Sequence, residues 1–224
     1  LGSGIGDRIR VGSDNISRTF SGVISGSGNV IKEGTATWTL SGANTFNGDS
    51  IVSAGTLVVS GTSPNSHIYV QSGAYLYGAG TVASVTVSGQ ASAGTASNTV
   101  GNLTSGSVNL ESNGRLQVNV NAMTGTAGTD WDVVTASGGS GTYTVNAVNG
   151  SDFVIALKGN PVFDNQQVYT LRIIDAGTAS GFVADKFTVN TSEFVPDLGG
   201  GVFSVDATGG DLLVVFTPST TPDV

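Results

Sequence analysis

The chain has 224 residues, of which 11% are charged and 34 are glycine, and its formal net charge is −8. This composition excludes a charged disordered tail and a helix-rich bundle, while the length allows one large all-β unit or two small ones. The longest apolar run, at 212–216, has the length of a strand, far short of the roughly 20 residues that a membrane-spanning helix requires. Cysteine is absent, so stability must come from the core and from backbone hydrogen bonds.

The charges are distributed unevenly along the chain. Residues 1–129 carry five bases and five acids, whereas residues 130–224 carry three bases and eleven acids. Nucleic-acid binding requires an excess of lysine and arginine facing the phosphates, so we predict no nucleic-acid partner. The first 32 residues hold four bases and two acids, which predicts a mildly basic amino-terminal end opposite an acidic carboxyl-terminal half.

Residues 1–25 contain three short strand candidates separated by glycines, at 9–11, 16–20 and 23–24. The glycines at 2–6 have a spacing seen in nucleotide-binding loops, but no strand precedes them and no helix follows, so they predict no such site. The chain begins without methionine and without a basic, apolar leader, and we expect it to be a mature or trimmed product.

Residues 26–60 contain the clearest pattern in the sequence. Short alternating runs such as Thr37–Leu40 and Thr56–Val59 are each closed by a glycine or asparagine turn. Because the runs are only a few residues long and the turns recur at short intervals, the pattern predicts strands that coil into a solenoid rather than long hairpins.

Two segments inside this stretch carry a resemblance to a known family. Residues 40–48 read LSGANTFNG and residues 51–59 read IVSAGTLVV, and together they resemble the autotransporter-associated β-strand repeat, also called the passenger-associated transport repeat. The resemblance implies a right-handed parallel β-helix in a secreted or surface-displayed bacterial protein, and it implies no catalytic residue. Phe46 stands where relatives often carry tyrosine, and Asp49 where many carry glycine or threonine, so one corner is expected to differ in detail.

Residues 61–129 continue the succession of strand, small-residue corner and strand. The alternation is clearest at 115–120, where Leu116, Val118 and Val120 are predicted to face the interior. The residues between them, including Gln117 and Asn119, are predicted to face solvent.

From residue 130 onward the strands lengthen and aromatic residues accumulate. We predict a strand at 130–134, and an antiparallel hairpin formed by 202–205 and 212–216 that covers the last coil. These patterns divide the chain into a β-solenoid at 1–129, a β-rich aromatic portion at 130–217 and a flexible tail at 218–224.

Candidate catalytic groups are few. His67 is the only histidine, and because no nucleophile elbow accompanies it, we predict a solvent-facing strand residue. Asp130 and Asp132 are two residues apart and would share one face of a strand, as the paired acids of a polysaccharide-active β-helix require. However, no base lies between Arg115 and Lys158, and a uronate substrate would need one.

One binding function remains as an alternative. Tyr69, Tyr75 and Tyr77 could form an exposed aromatic strip for surface glycans, or they could stack along adjacent coils as part of the packing. Calcium is not predicted, because the tandem glycine and aspartate nonapeptides of calcium-binding β-rolls are absent.

The sequence therefore predicts an all-β protein, a right-handed parallel β-helix that ends in an antiparallel hairpin. We predict a non-enzymatic, extracellular or cell-surface structural protein that assembles head to tail into a fibre or layer. The sequence predicts no catalytic, cofactor-binding or metal-ligating residue and no membrane span. An adhesin or carbohydrate-binding stalk and a polysaccharide-active β-helix enzyme are the two alternative functions.

Overall fold

The computed structural model describes residues 7–220. The glycine-rich opening at 2–6 and the last four residues of the predicted tail, 221–224, lie outside the described residues. Two sheets, of twelve and eight strands, account for the regular structure, and the two helical segments are single 3-10 turns at Ser137–Gly139 and Ala184–Lys186.

The strands in chain order are β1 (Arg8–Val11), β2 (Arg18–Phe20), β3 (Asn29–Lys32), β4 (Thr37–Leu40), β5 (Ser50–Val52), β6 (Thr56–Val59), β7 (Thr62–Val70), β8 (Tyr75–Gly78), β9 (Thr81–Val87), β10 (Gln90–Ser92), β11 (Asn102–Leu110), β12 (Arg115–Asn119), β13 (Val133–Ala136), β14 (Thr142–Val145), β15 (Phe153–Gly159), β16 (Tyr169–Asp175), β17 (Thr178–Ser180), β18 (Phe187–Phe194), β19 (Val202–Thr208) and β20 (Asp211–Thr217). The runs predicted at Thr37–Leu40 and Thr56–Val59 are β4 and β6. Of the three amino-terminal candidates, the first two form β1 and β2, and 23–24 is not a strand.

The strands wind into coils with three faces. The first face contains 62–63 of β7, 81–82 of β9, 104–105 of β11, then β13 and β16. The second face contains β1, β3, β5, the later halves of β7, β9 and β11, then β14 and β17. The third face is the eight-stranded sheet, from β2 to β18.

Every strand pair between successive coils is parallel, and the predicted fold class is confirmed as an all-β parallel β-helix. Each residue therefore stacks on its counterpart one coil later. Val30 pairs with Ser50, and Ile68 pairs with Val85. The later coils contain more residues, because residues are inserted at the corners. These insertions leave the strand register intact: Val85 pairs with Val108, and Val108 pairs with Tyr143.

Columns of apolar side chains fill the interior. On the second face the column is Val52, Val70, Val87, Leu110 and Val145, all buried. On the third face it is Leu57, Leu76, Ala91, Leu116 and Ile155, also buried. Burial of one such large aliphatic side chain contributes about 1.5–3 kcal/mol, so the stacked columns hold the coils together without a disulfide.

A column of glycines forms one corner between the third face and the first. A Cβ atom added at Gly42 would lie 2.0 Å from the Gly22 carbonyl oxygen, and one added at Gly61 would lie 2.3 Å from that of Gly42. The contact recurs at Gly80, where a Cβ would lie 2.0 Å from the Gly61 carbonyl oxygen. Successive coils approach here more closely than any side chain allows, which explains part of the high glycine content.

The parallel coils continue past residue 129, where the composition predicts a boundary. The strands β13, β14 and β15 extend the first, second and third faces in turn. The predicted hairpin is also present: β19 and β20 pair antiparallel, with Phe203 opposite Phe216, and β20 pairs antiparallel with β16. The hairpin therefore extends the first face with one strand, β20, that runs against the direction of the coil, and a second, β19, that runs with it.

One buried group near this end has an unusual environment. Tyr143 lies fully buried in an interior column between Val108 and Ala179, and its hydroxyl group has no hydrogen-bond partner among residues 7–220. Burial raises the pKa of Tyr143, which keeps the hydroxyl neutral.

We expect Tyr143→Phe to raise the free energy of unfolding by about 1 kcal/mol, because it removes a buried polar atom that makes no hydrogen bond. Urea denaturation of the purified protein measures the change. Tyr169→Phe is the matched control, because the Tyr169 hydroxyl accepts a hydrogen bond from the Asp164 amide at 3.1 Å, and this variant should lose stability. A loss of stability in Tyr143→Phe would contradict the expectation.

Candidate functional site

The strands β1 and β2 form the amino-terminal edges of the described coil. Among the described residues β1 pairs only with β3, and β2 pairs only with β4. Three apolar side chains close to these edges are exposed to solvent: Ile16, Phe20 and Val23. Unpaired strand edges with adjacent apolar residues are typical of surfaces that add a further strand.

At the carboxyl-terminal end the first face ends on the hairpin, whose outer strand β19 pairs only with β20 among residues 7–220. The hairpin covers the first face, and beneath it five aromatic rings pack together with centroids 4.8–6.4 Å apart: Phe163, Tyr169, Phe194, Phe203 and Phe216. On the second and third faces β17 and β18 each have one strand partner within the described chain. Val195 and Val202 are exposed near these edges.

The basic character predicted for the amino-terminal end is largely neutralised. The Arg10 guanidinium pairs with Glu33, and the Arg18 guanidinium pairs with Asp14. Arg18 also lowers the pKa of the Asp14 carboxyl through its hydrogen bond. The Arg10–Glu33 pair was not apparent from the sequence, because Glu33 follows the counted segment and lies beside Arg10 only when two coils stack.

Lys32 is a base that the coil buries. Its ammonium group lies at the corner between the second and third faces and donates to the carbonyl oxygens of Glu33, Gly34 and Ala54 at 2.6, 2.9 and 3.0 Å. Burial lowers the pKa of Lys32, while the three carbonyl partners stabilise the ammonium. Lys32 therefore joins successive coils and adds no charge to the surface of the end.

A buried polar network lies on the outer side of the third face. The Asp132 carboxylate accepts hydrogen bonds from Ser92 Oγ, Gly101 N, Asn119 N and Asn119 Nδ2, all at 2.8–2.9 Å. The segment 93–101 covers this network, since Thr99 O accepts from Asn119 and Ser97 O accepts from Gln117. Burial raises the pKa of Asp132.

This network corrects two sequence predictions. Gln117 and Asn119 were predicted to face solvent, but both are buried under the segment 93–101. The strand predicted at 130–134 begins only at Val133, so Asp130 and Asp132 do not share a strand face. Asp130 instead accepts a hydrogen bond from the Thr126 amide in a loop, while Asp132 is buried. The two carboxylates do not form a pair of acids in a cleft.

His67 lies on β7 with its side chain exposed, as predicted for a solvent-facing strand residue. Its Nδ1 atom is hydrogen-bonded to Ser84 Oγ on the next coil. Ser84 pairs with His67 on β7 and with Ser107 on β11, so this contact joins neighbouring coils of the second face.

The three tyrosines do not form one strip. Tyr69 lies on the second face, whereas Tyr75 and Tyr77 lie on β8 of the third face. Tyr75 and Tyr77 stack on each other with centroids 6.5 Å apart. The six residues from Tyr69 to Tyr75 include a corner of the coil. The alternation within each strand therefore could not show that the two rings lie on different faces.

No group of three or more histidine, aspartate or glutamate side chains that could hold a metal ion occurs in residues 7–220. None of the helical segments within that same range has the length and apolar character needed to cross a membrane.

Asn44 and Phe46 show what the segment LSGANTFNG does in the coil. The Asn44 side chain accepts a hydrogen bond from Ile24 N at 3.0 Å and donates to Ser63 Oγ at 3.3 Å, so it links the coils before and after its own. Phe46 is fully buried in the core. The segment therefore supplies one bridging amide and one interior ring to a corner that would otherwise leave backbone groups unpaired.

The comparison with known families agrees with this geometry. The model of the passenger-associated-transport-repeat family matches residues 30–59, which confirms the resemblance seen in the sequence. The match begins in β3 and ends at the last residue of β6, so one repeat supplies two strands to each of two faces. No curated protein matches the chain. The repeat suggests a β-helical domain of the autotransporter-passenger type, in a bacterial protein that is secreted or held at the surface.

Proposed function

We propose that this chain is a rigid extracellular structural protein whose coils join those of other copies head to tail. The observation that carries the proposal is the state of the strand edges. Among residues 7–220, two of the three faces end on strands with a single partner at both ends: β1 and β2 at one end, and β17 and β18 at the other. All of these strands run in the same direction around the coil.

Head-to-tail contact would continue the parallel ladder from one molecule into the next. The edge of β17 would meet β1 on the second face, and the edge of β18 would meet β2 on the third face. Such a contact joins two different surfaces, so it does not close into a dimer and instead extends into a fibre. The exposed Phe20 and Val23 at one end and Val195 at the other would be covered in the process.

Charge contributes less to this contact than the sequence predicts. Of the four bases at the amino-terminal end, Arg10 and Arg18 are paired within their own molecule and Lys32 is buried. The remaining base, Arg8, is exposed. Backbone hydrogen bonds and apolar contacts are therefore the main attraction. We therefore expect assembly to depend weakly on salt, since screening acts mainly on exposed charges.

The proposed role is mechanical and not catalytic. Interior columns that run the length of the coil resist bending, and paired strands resist proteases. The buried Asp132 carboxylate is fully engaged by its donors, which supports a structural role for this acid over a role in a polysaccharide-active site.

Thr19→Pro tests the proposal at the β2 edge. The Phe20 carbonyl oxygen accepts from Ser41 N on the neighbouring coil, so the amide of Thr19 points to the free edge. Proline there removes one donor from the free edge and keeps the bonds to β4. We expect Thr19→Pro to abolish fibres in negative-stain electron microscopy. Thr19→Val is the matched control and should assemble as the wild type does.

A mixing experiment separates head-to-tail assembly from other modes. The carboxyl-terminal end of Thr19→Pro is unchanged, so the variant should add to a wild-type fibre and block further growth at that end. A small fraction of Thr19→Pro mixed with wild-type protein should therefore shorten the fibres. Wild-type protein that stays monomeric in light scattering at all salt concentrations contradicts the proposal. A species that stops at two copies would show that like ends pair.

A further inference from the structure

The outer surface of the second face contains a groove of about 320 Å³ that crosses three consecutive coils. Its side chains come from alternate, outward-facing strand positions and from the corner that follows. They are Asp49, Ile51, Tyr69, Gln71, Thr86 and Ser88. The groove is separate from both ends of the coil, so it is not part of the proposed assembly surface.

The parallel register brings these residues together. Ile51 pairs with Tyr69, and Tyr69 pairs with Thr86, so the ring stands in a row between an apolar side chain and a hydroxyl group. Gln71 and Ser88 follow the ends of β7 and β9 and lie in the neighbouring row. The Tyr69 ring is exposed, and stacking from either side covers only part of it.

Most polar groups of this groove are available to a ligand, whereas the Thr86 hydroxyl accepts a hydrogen bond from Asn109 Nδ2 at 3.2 Å. Among residues 7–220, the Asp49 carboxylate, the Gln71 amide, the Tyr69 hydroxyl and the Ser88 hydroxyl make no side-chain hydrogen bond. By contrast, polar side chains on the outer side of the third face are used within the protein, where Gln90 donates to Gln117. A groove with an exposed ring and several unengaged donors and acceptors matches a ligand with an apolar face and many hydroxyl groups.

We propose that this groove binds a neutral oligosaccharide, with one pyranose ring stacked on Tyr69. The sugar hydroxyls would donate to the Asp49 carboxylate and exchange hydrogen bonds with Gln71, Thr86 and Ser88. The lining contains one acid and no base, which disfavours uronates and other anionic sugars. A single carboxylate is too few ligands for a divalent cation.

Tyr75 provides a matched control for the ring. Tyr69 is 41% exposed and Tyr75 is 40% exposed, so their removal costs the fold similar packing. Tyr75 stands on the other face, stacked on Tyr77 and beside Arg115 in a different depression. A ligand that needs the groove on the second face should be affected by one substitution and not by the other.

The experiment is isothermal titration of the whole chain with four neutral probes, maltotetraose, cellotetraose, mannotetraose and galactotetraose, and with tetragalacturonate as the anionic comparison. We expect at least one neutral tetraose to bind. Tyr69→Ala should raise its Kd about tenfold or more, as the loss of a stacked ring implies, and Gln71→Ala should raise it several-fold. Tyr75→Ala should leave the Kd unchanged.

Three results would overturn the inference. They are the absence of binding by every neutral probe up to about 10 mM, preferential binding of tetragalacturonate, and equal loss of affinity in Tyr69→Ala and Tyr75→Ala. Circular dichroism of each variant shows whether it is folded, and Asp49→Asn gives a second variant in which the charge changes and the side-chain volume does not. Thr19→Pro should bind the probe as the wild type does, so failure of assembly and failure of sugar binding are distinguishable.

Discussion

Replacing Asp132 with alanine is expected to lower the free energy of unfolding by about 3 kcal/mol or more. The substitution removes the acceptor of four buried hydrogen bonds, which Ser92, Gly101 and Asn119 donate. It also releases the segment 93–101 from the third face, because that segment is held partly through Gly101 and Asn119. Urea denaturation followed by tryptophan fluorescence measures the loss, since Trp131 is the immediate neighbour of Asp132.

Asp130→Ala is the control for this prediction. Its carboxylate accepts from one loop amide, that of Thr126, so the expected loss is below about 1 kcal/mol. Asp132→Asn keeps one acceptor oxygen, so its loss in free energy of unfolding should lie between the losses of the two alanine variants. Equal losses in Asp130→Ala and Asp132→Ala would show that the buried network does not hold the loop.

Asp132 also predicts a pH dependence. Burial raises its pKa above the ordinary value of 3.8, so the folded state binds a proton more readily than the unfolded state. The charged carboxylate therefore disfavours folding at neutral pH, and this cost fades as the pH falls through the raised pKa toward 3.8. The free energy of unfolding of the wild type, relative to that of Asp132→Asn, should increase as the pH is lowered from 7 to 4.

Phe216→Ala is expected to cost about 3–5 kcal/mol, because it opens the aromatic cluster under the hairpin. The Phe216 ring is fully buried, with its centroid 4.8 Å from that of Phe163 and 5.0 Å from that of Phe203. Its loss leaves a cavity at the point where the interior columns end. Denaturant unfolding measures the change, and binding of a dye specific for exposed apolar surface should rise.

Phe20→Ala is the comparison at the opposite end. Phe20 is exposed and contacts one ring, that of Trp38, with centroids 6.2 Å apart, so its loss should cost less than about 1 kcal/mol. The two variants compare a ring that is buried in the aromatic cluster with a ring that is exposed on an edge strand. Similar losses in the two variants would contradict this expectation.

The sequence predicts the coil well where one side of a strand faces the core. The alternation at Thr37–Leu40 and Thr56–Val59 and the apolar strand of the hairpin locate β4, β6 and β20, because burial on one face imposes a period of two. The repeat at 30–59 adds the coiling of these strands, which local periodicity alone does not distinguish from a flat sheet.

The outer surface is harder to predict, because an outward position can be covered by a distant segment. Gln117 and Asn119 obey the alternation of β12, yet the loop 93–101 buries them. The pairing of Arg10 with Glu33 and the separation of Tyr69 from Tyr75 likewise depend on how coils stack and where they turn. These relations are set by register between coils, and no window along the chain contains them.

The reversed strand β20 constrains where molecules of this kind can change length. A duplicated coil inserted anywhere between β3 and β12 would find parallel neighbours above and below, so rods of different span could arise from the same parts. On the first face, β20 runs antiparallel to β16, so the last coil strand always pairs with a strand of the opposite direction. Coils added before β16 leave this pairing intact. The number of coils is therefore expected to vary upstream of the hairpin, while the hairpin β19–β20 is retained as a fixed terminal unit.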